Sequence, residues 1–206
     1  ETSLRIEMAD VLLGLGEEER AIAMLRANNP CGVNDEAIGC ILAGMAGRRE
    51  EAMSLLSMAL LRHISGLIQI VGKFGDIYED RGRLDQADEV LAWLYPFLRG
   101  LERPDRVSYL TKYRAAALGC RAQIAWKSGR KTDAEAFLRE ALALADRFDA
   151  APNYRADALR WYEGPDTAMA YDSMGLTARA AVRQVFTQQG EDPEAGAFLT
   201  AFESEN

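Results

Sequence analysis

Four stretches of the chain repeat one arrangement of small, apolar and polar positions. Each centres on a glycine, then four mostly polar residues and an alanine: Gly16-EEER-Ala21, Gly47-RREE-Ala52, Gly82-RLDQ-Ala87 and Gly129-RKTD-Ala134. A small residue stands seven before the glycine (Ala9, Cys40, Gly75, Ala122) and an aliphatic one five before it (Val11, Leu42, Ile77, Ile124). Leu25, Leu56, Leu91 and Leu138 follow four after the alanine, with Ala59 and Ala141 seven after it in two copies. Those offsets keep one helical face apolar. They describe two helices that close on each other through small side chains on either side of a glycine turn. The same Gly-x4-Ala spacing at Gly32, Gly175, Gly190 and Gly196 lacks the two upstream positions.

Extended along the chain, the pattern predicts helices near 3–15, 17–27, 35–46, 48–63, 66–81, 84–100, 105–128, 132–149, 154–162, 166–189 and 192–203. Several starts carry a chemical signature. Asn34 precedes Asp35 and Glu36 as a cap, Thr132 with Glu135 forms a capping box, and Pro165 and Pro193 suit first-turn positions. Pro96 removes a hydrogen bond inside its helix, which predicts a kink or a stop near Tyr95.

The small residue, turn glycine, alanine and large apolar residue resemble the signature positions of tetratricopeptide repeats. Glycine-to-glycine spacings of 31, 35 and 47 bracket that family's period of about 34 residues. The long third spacing places extra residues in ERPDRVSYLTKYR, read as a turn at Glu102 to Pro104 followed by an overlong first helix. The family's tryptophan and proline are mostly missing, so the copies are degenerate. The resemblance implies an all-α fold, a right-handed superhelix of helical hairpins. Residues 1–150 would form four repeats and residues 151–206 a C-terminal capping segment, with Gly190-EDPE-Ala195 and Leu199 as a fifth turn.

With 49% hydrophobic and 27% charged residues the composition is globular. A net charge of −8 argues against wholesale binding to nucleic acid or an anionic membrane. Cys31, Cys40 and Cys120 have no C-x-x-C spacing, so neither a disulfide framework nor a zinc site is indicated, and a reducing cytoplasm is the expected location. No apolar run approaches the 18 to 20 or so residues needed to span a bilayer, and no basic-then-apolar leader opens the chain. The chain starts at Glu1, which leads to the expectation of a piece of a longer protein.

Catalytic signatures are weak. His63 lies among Leu60, Leu61 and Ile64 with no local nucleophile and is read as a helix-end histidine. Acidic runs such as Glu17 to Glu19 and Glu79-Asp80 lack a calcium-loop pattern, and Gly14 to Gly16 ends a helix rather than opening one after a strand. An enzyme is not expected, nor a cofactor or metal. Charge is uneven: Arg99, Arg103, Arg106, Lys112, Arg114, Arg121, Lys127, Arg130 and Lys131 face only Glu102 and Asp105 in the same segment. Either these cations pair with acidic neighbours such as Asp76, Glu79, Asp88, Glu135 and Glu140, or they form an anion-attracting wall interleaved with Tyr109, Tyr113 and Trp126.

In tetratricopeptide repeats the concave wall is made by the first helix of each hairpin. The resemblance therefore places a ligand-binding stripe at Gln69, Lys73, Asp76, Tyr109, Lys112, Gln123, Trp126 and Lys127. Gly72 and Gly119 occupy matching places on it, and glycine inside a helix costs roughly 1 kcal/mol relative to alanine. Either they make room for a guest, or the helix expected at 166–189 folds back and fills the groove. An open groove would suit an extended peptide with a carboxylate, taken up by the lysines.

The last 130 or so residues, including FDAAPNYRADALRWYEGPDTAMAYDSMG, resemble the C-terminal part of bacterial regulators of the XRE type, in which a Cro-repressor-like helix-turn-helix domain precedes helical repeats. This implies a non-catalytic interaction or sensor domain that binds a peptide or protein, homodimerises, or both, and that meets DNA only through an upstream domain. Two readings compete with it: a stand-alone adaptor for a protein partner, distinguished by an open reading frame that begins near Glu1, and an enzyme subunit whose chemistry lies in residues outside the aligned pattern.

Overall fold

The computed structural model describes residues 2–27, 29, 32–151, 153–164, 166, 168–170 and 176–205. Its class is all-α, built from helical hairpins: α1 (Thr2–Gly14), α2 (Glu18–Arg26), α3 (Asp35–Gly44), α4 (Arg49–Asp80), α5 (Leu84–Leu101), α6 (Tyr109–Lys127), α7 (Lys131–Asp149), α8 (Ala178–Phe186) and α9 (Pro193–Glu205). A two-stranded antiparallel ribbon, β1 (Asn153–Arg155) with β2 (Ala168–Ala170), sets Tyr154 opposite Met169. The chain divides into two compact units, one of Glu1–Ser65 with Trp161–Thr167 and one of Gly66–Arg160 with Ala168–Asn206.

The turn glycines explain themselves. Gly16, Gly47, Gly82, Gly129 and Gly190 have φ between 69° and 91°, the left-handed region that side chains with a Cβ avoid. Ala21, Ala52, Ala87, Ala134 and Ala195 after them are all buried.

In the first unit Ala9, Ala21, Ile22, Leu25, Ile38, Leu42 and Ala52 form one core. The small position before Gly47 is shifted by one residue from the expected Cys40. Cys40 is exposed, and Gly39 fills the contact instead: a methyl group there would lie 2.8 Å from Leu56 Cγ. Asn34 precedes α3 as expected but does not cap it through its side chain, which donates to the Leu25 carbonyl at 3.0 Å and ties α2 to α3. The helices expected at 48–63 and 66–81 are one continuous α4. Nothing at residues 63–66 stops a helix, because Leu61, Ile64 and Val71 carry a buried face straight through. His63 is thus mid-helix, with Glu36 of α3 at 2.8 Å, while Arg62 reaches Asp35 at 3.1 Å. Continuity also overturns the expectation about apolar runs: by length and composition alone α4 is long and apolar enough to cross a membrane.

The second unit departs from the sequence pattern in its connections. α5 continues through Pro96, because Leu91, Leu94, Leu98 and Leu101 keep a buried stripe on both sides of it. Pro96 itself is exposed, where the freed carbonyl of the preceding turn can meet water. The long third spacing is taken up by an extended connection, not by an overlong helix; α6 begins at Tyr109 after the cap Ser108, whose side chain accepts from Leu110 N and whose backbone N–H donates to Thr111 Oγ1. That connection is knitted to the segment after α7: Arg103 N donates to Ala158 O (2.7 Å), Arg155 N to Val107 O (2.9 Å) and Arg160 N to Leu101 O (2.9 Å). These bonds claim the backbone expected to form a helix over 154–162, which is instead β1 and a single 3-10 turn. Among the described residues of the helix expected at 166–189, Ala168–Ala170 is a strand and the α-helical part is α8, held by Asp149, which accepts from Ala178 N and Arg179 N at 2.7 and 2.9 Å. α7 starts one residue before Thr132, so the expected capping box there is absent. Pro193 does open α9, whereas Pro165 lies outside the described residues.

Candidate functional site

In the second unit the C-terminal half of α4, together with α6 and α8, walls a cleft of about 410 Å³. Gly72, Gly75, Asp76 and Glu79 come from α4, Cys120, Gln123 and Ile124 from α6, Gln184 and Val185 from α8, and Gln188 and Glu191 from the turn that follows. The positions on each helix follow its period: Asp76 and Glu79 are three apart, as are Cys120 and Gln123, so each pair shares a face. A second, more apolar depression of about 810 Å³ runs along α4 past Gly66, Gln69, Ile70, Lys73, Phe74 and Ile77, sharing Gly72 and Asp76 with the first.

Glu79 is the hub of the cleft. Its Oε1 accepts from Gln188 Nε2 at 3.1 Å, from Gln123 Nε2 at 3.4 Å and from Lys127 Nζ. Gln123 is 4% exposed, so its amide is fixed by burial as well as by this bond. Cys120 is half-buried, yet burial of its sulfur, and then the charges of Asp76 and Glu79, push the thiol up to about 12. A sulfur held protonated to that degree is no nucleophile near neutral pH.

The expected stripe divides between distinct surroundings. Gln69, Lys73 and Asp76 are exposed along the α4 depression, with Lys73 donating to Asp76 at 2.7 Å; that bond and its charge hold the ammonium above its ordinary range. Gln123 and Lys127 converge on Glu79. Tyr109, Lys112 and Trp126 serve as packing groups. Tyr109 stacks edge-on to Tyr154 at 4.1 Å, Lys112 donates to the Leu176 carbonyl at 2.7 Å, and Trp126 lies 4.6 Å from the ring of Phe198. The two glycines also part. A methyl group at Gly119 would touch Val182 of α8 at 3.5 Å, so α8 occupies that part of the face, while at Gly72 nothing lies within 4 Å.

Cations of the Arg99–Lys131 segment largely find carboxylates: Arg121 and Arg130 meet Asp88 (2.7 and 3.2 Å), Arg106 meets Asp157 (3.3 Å) and Arg114 meets Glu102 (2.6 Å). Glu102 is 3% exposed and also accepts from Ser108 and Thr111, a buried network that pins the extended connection to α6. Arg114 donates to the Tyr95 hydroxyl at 3.1 Å, and burial followed by the bond to Glu140 raises the Tyr95 phenol.

Residues 115–148, α6 from its second turn onward and nearly all of α7, match the family model described as Tetratricopeptide repeat. The chain carries a tetratricopeptide-like helical repeat domain. No curated protein and no solved structure matches it. Tetratricopeptide repeats are protein-interaction modules, as a rule non-catalytic, and commonly bind protein partners. α6, the first helix of the matched hairpin, contributes Gln123 to the cleft. Glu79, Cys120, Gln184, Gln188 and Glu191 were not singled out from sequence as site residues. Glu79 had a signal, standing three after Asp76 on the same helical face; the residues in and after α8 had one only as a segment, through the alternative that the helix expected at 166–189 folds back onto the groove, and nothing local marked Gln184, Gln188 or Glu191 individually.

Proposed function

We propose that this chain is the interaction and sensor domain of a bacterial, cytoplasmic transcriptional regulator and that it binds a peptide or protein segment in the cleft of α4, α6 and α8. The observation that carries the reading is the convergence of amides and carboxylates in a recess on the first helices of successive hairpins. Side-chain amides can pair with both the N–H and the C=O groups of an extended backbone, which is how a groove binds a chain without covalent chemistry. The regulator context rests on the likeness of the last 130 or so residues to XRE-type proteins. In that setting a separate helix-turn-helix domain contacts DNA, and homodimerisation of the repeats would pair two such domains. The repeats themselves carry net negative charge, and their arginines are largely engaged by carboxylates.

A phage-displayed library of random heptapeptides, panned on the full chain and counter-selected on Gly72→Trp, tests the docking role. A Cβ at Gly72 meets nothing within 4 Å and the position lines the cleft, so the indole should occupy the recess while the helix under it is kept, which a thermal melt alongside the parent checks. Peptides that bind the parent and not the variant are the expected result. Enrichment indifferent to the substitution would remove the cleft from the function.

A further inference from the structure

The chemistry of the cleft specifies its guest more narrowly, and the inference rests on the docking role just proposed. Asp76, Glu79 and Glu191 line the cleft, where no basic side chain is among the lining residues; the adjoining depression along α4 has one, Lys73. The lysines from which a carboxylate-binding site was expected are already engaged: Lys73 donates to Asp76 at 2.7 Å and Lys127 to Glu79. A ligand carboxylate would have to compete with those fixed anions.

Glu79 is pre-organised. Its three donors all meet Oε1, which leaves Oε2 without a protein donor among the described residues. One of the donors, Gln188, has φ +49°, the single positive value outside glycine among the described residues. That backbone is sterically disfavoured for a side chain with a Cβ, and it carries the amide that reaches Glu79. Gln184 adds an exposed amide with no hydrogen-bond partner among the described residues.

The dimensions favour a chain over a single small molecule. Gly72 and Asp76 belong to both depressions, so one track follows α4 from Gly66 to Glu79. At 1.5 Å per helical residue this is roughly 20 Å, the length of about six residues of extended peptide. Ile70 and Phe74, exposed by 59 and 52%, offer apolar contact toward one end of the track, and Ile77, exposed by 45%, stands beside the carboxylates Asp76 and Glu79 toward the other. We infer that the guest is an extended basic peptide of about six residues, apolar over Ile70 and Phe74, with one arginine or lysine side chain seated between Asp76, Glu79 and Glu191. A guanidinium would take Glu79 Oε2 directly, in a charge-assisted bond, and the amides of Gln184 and Gln188 would pair with the peptide backbone.

The test starts from heptapeptides that the library yields on the parent chain and that Gly72→Trp refuses. The sequences should be enriched in arginine or lysine. Their fluorescein-labelled synthetic forms, read by anisotropy, should lose about tenfold in affinity or more when the basic residue becomes norleucine, and more again when it becomes glutamate. Glu79→Gln should weaken the basic peptide by about the same factor and leave the norleucine form unchanged. Selected peptides that are neutral or acidic, or that bind Glu79→Gln as well as the parent, would overturn the basic-guest inference while leaving the docking role intact. Displacement of the labelled peptide by arginine amide at equal concentration would overturn the peptide in favour of a small amine. A library that yields nothing sensitive to Gly72→Trp would defeat the docking role itself, and this inference with it.

Discussion

Gly72 and Gly119 occupy matching places on the first helices of successive hairpins, each ten residues before its turn glycine. Around Gly119 the face is closed: Val182 of α8 lies within van der Waals reach, and behind it Phe148, Phe186, Leu138 and Ala145 form a continuous core. Around Gly72 the face is open, bordered by the amides and carboxylates of the cleft. A small residue on a helix face thus has two uses. It admits another helix, or it leaves a recess, and the choice depends on an element more than fifty residues further along the chain.

The contrast can be broken most severely at the closed side. Arg114→Ala removes the guanidinium from Glu102 and leaves a carboxylate that is 3% exposed without its cation. The expected loss is about 3–5 kcal/mol, measured as a fall in the urea midpoint; a midpoint within error of the parent would mean that the network does not hold the connection to α6. Next in size is the direct comparison of the glycines. Gly119→Leu must push α8 away from α6 and should cost about 1–3 kcal/mol through overpacking. At Gly72 a Cβ meets nothing within 4 Å, so Gly72→Leu starts from open space and should unfold no earlier than the parent. Equal losses at the two positions would erase the distinction.

A finer probe is Gly72→Ala. With no neighbour to clash, it should gain up to about 1 kcal/mol in helix stability, read as a small rise in the thermal midpoint. At neutral pH the smallest effect is that of titration, which grows only in alkali. The Cys120 thiol is pushed from 9.0 to about 12 in the folded chain, so between those values the unfolded chain releases a proton that the folded chain keeps. The stabilising contribution is complete below pH 9 or so and is lost as pH rises toward 12. Iodoacetamide labelling resolved by peptide mapping should accordingly modify the exposed Cys40 well before Cys120 at pH 8; similar rates would show that burial, and with it the neighbouring carboxylates, does not hold the Cys120 thiol protonated.

The hairpins themselves were legible in the sequence. Turn glycines at positive φ, alanines at the helix contacts and leucines four residues later are local requirements, each satisfied by one side chain's size or backbone freedom, and the match over residues 115–148 falls on the copy where Ala122, Gly129, Ala134, Leu138 and Ala141 are all in register. A shift of one residue, from Cys40 to Gly39, escaped the spacing because either side chain is small and only the approach of Leu56 distinguishes them. What the tertiary structure decided was everything that depends on a distant partner. α4 runs on where periodicity implied a break, since no neighbour forces a turn there. Residues 153–160 give up helical hydrogen bonds for the backbone of residues 101–107. The site itself was half visible: α4 and α6 present Asp76 and Gln123 at helical spacing, but Gln184, Gln188 and Glu191 reach the cleft only because Asp149 and Val182 fix α8 against the preceding hairpin. Side-chain period is a property of each helix alone, whereas the wall opposite is chosen by long-range packing that no local pattern encodes.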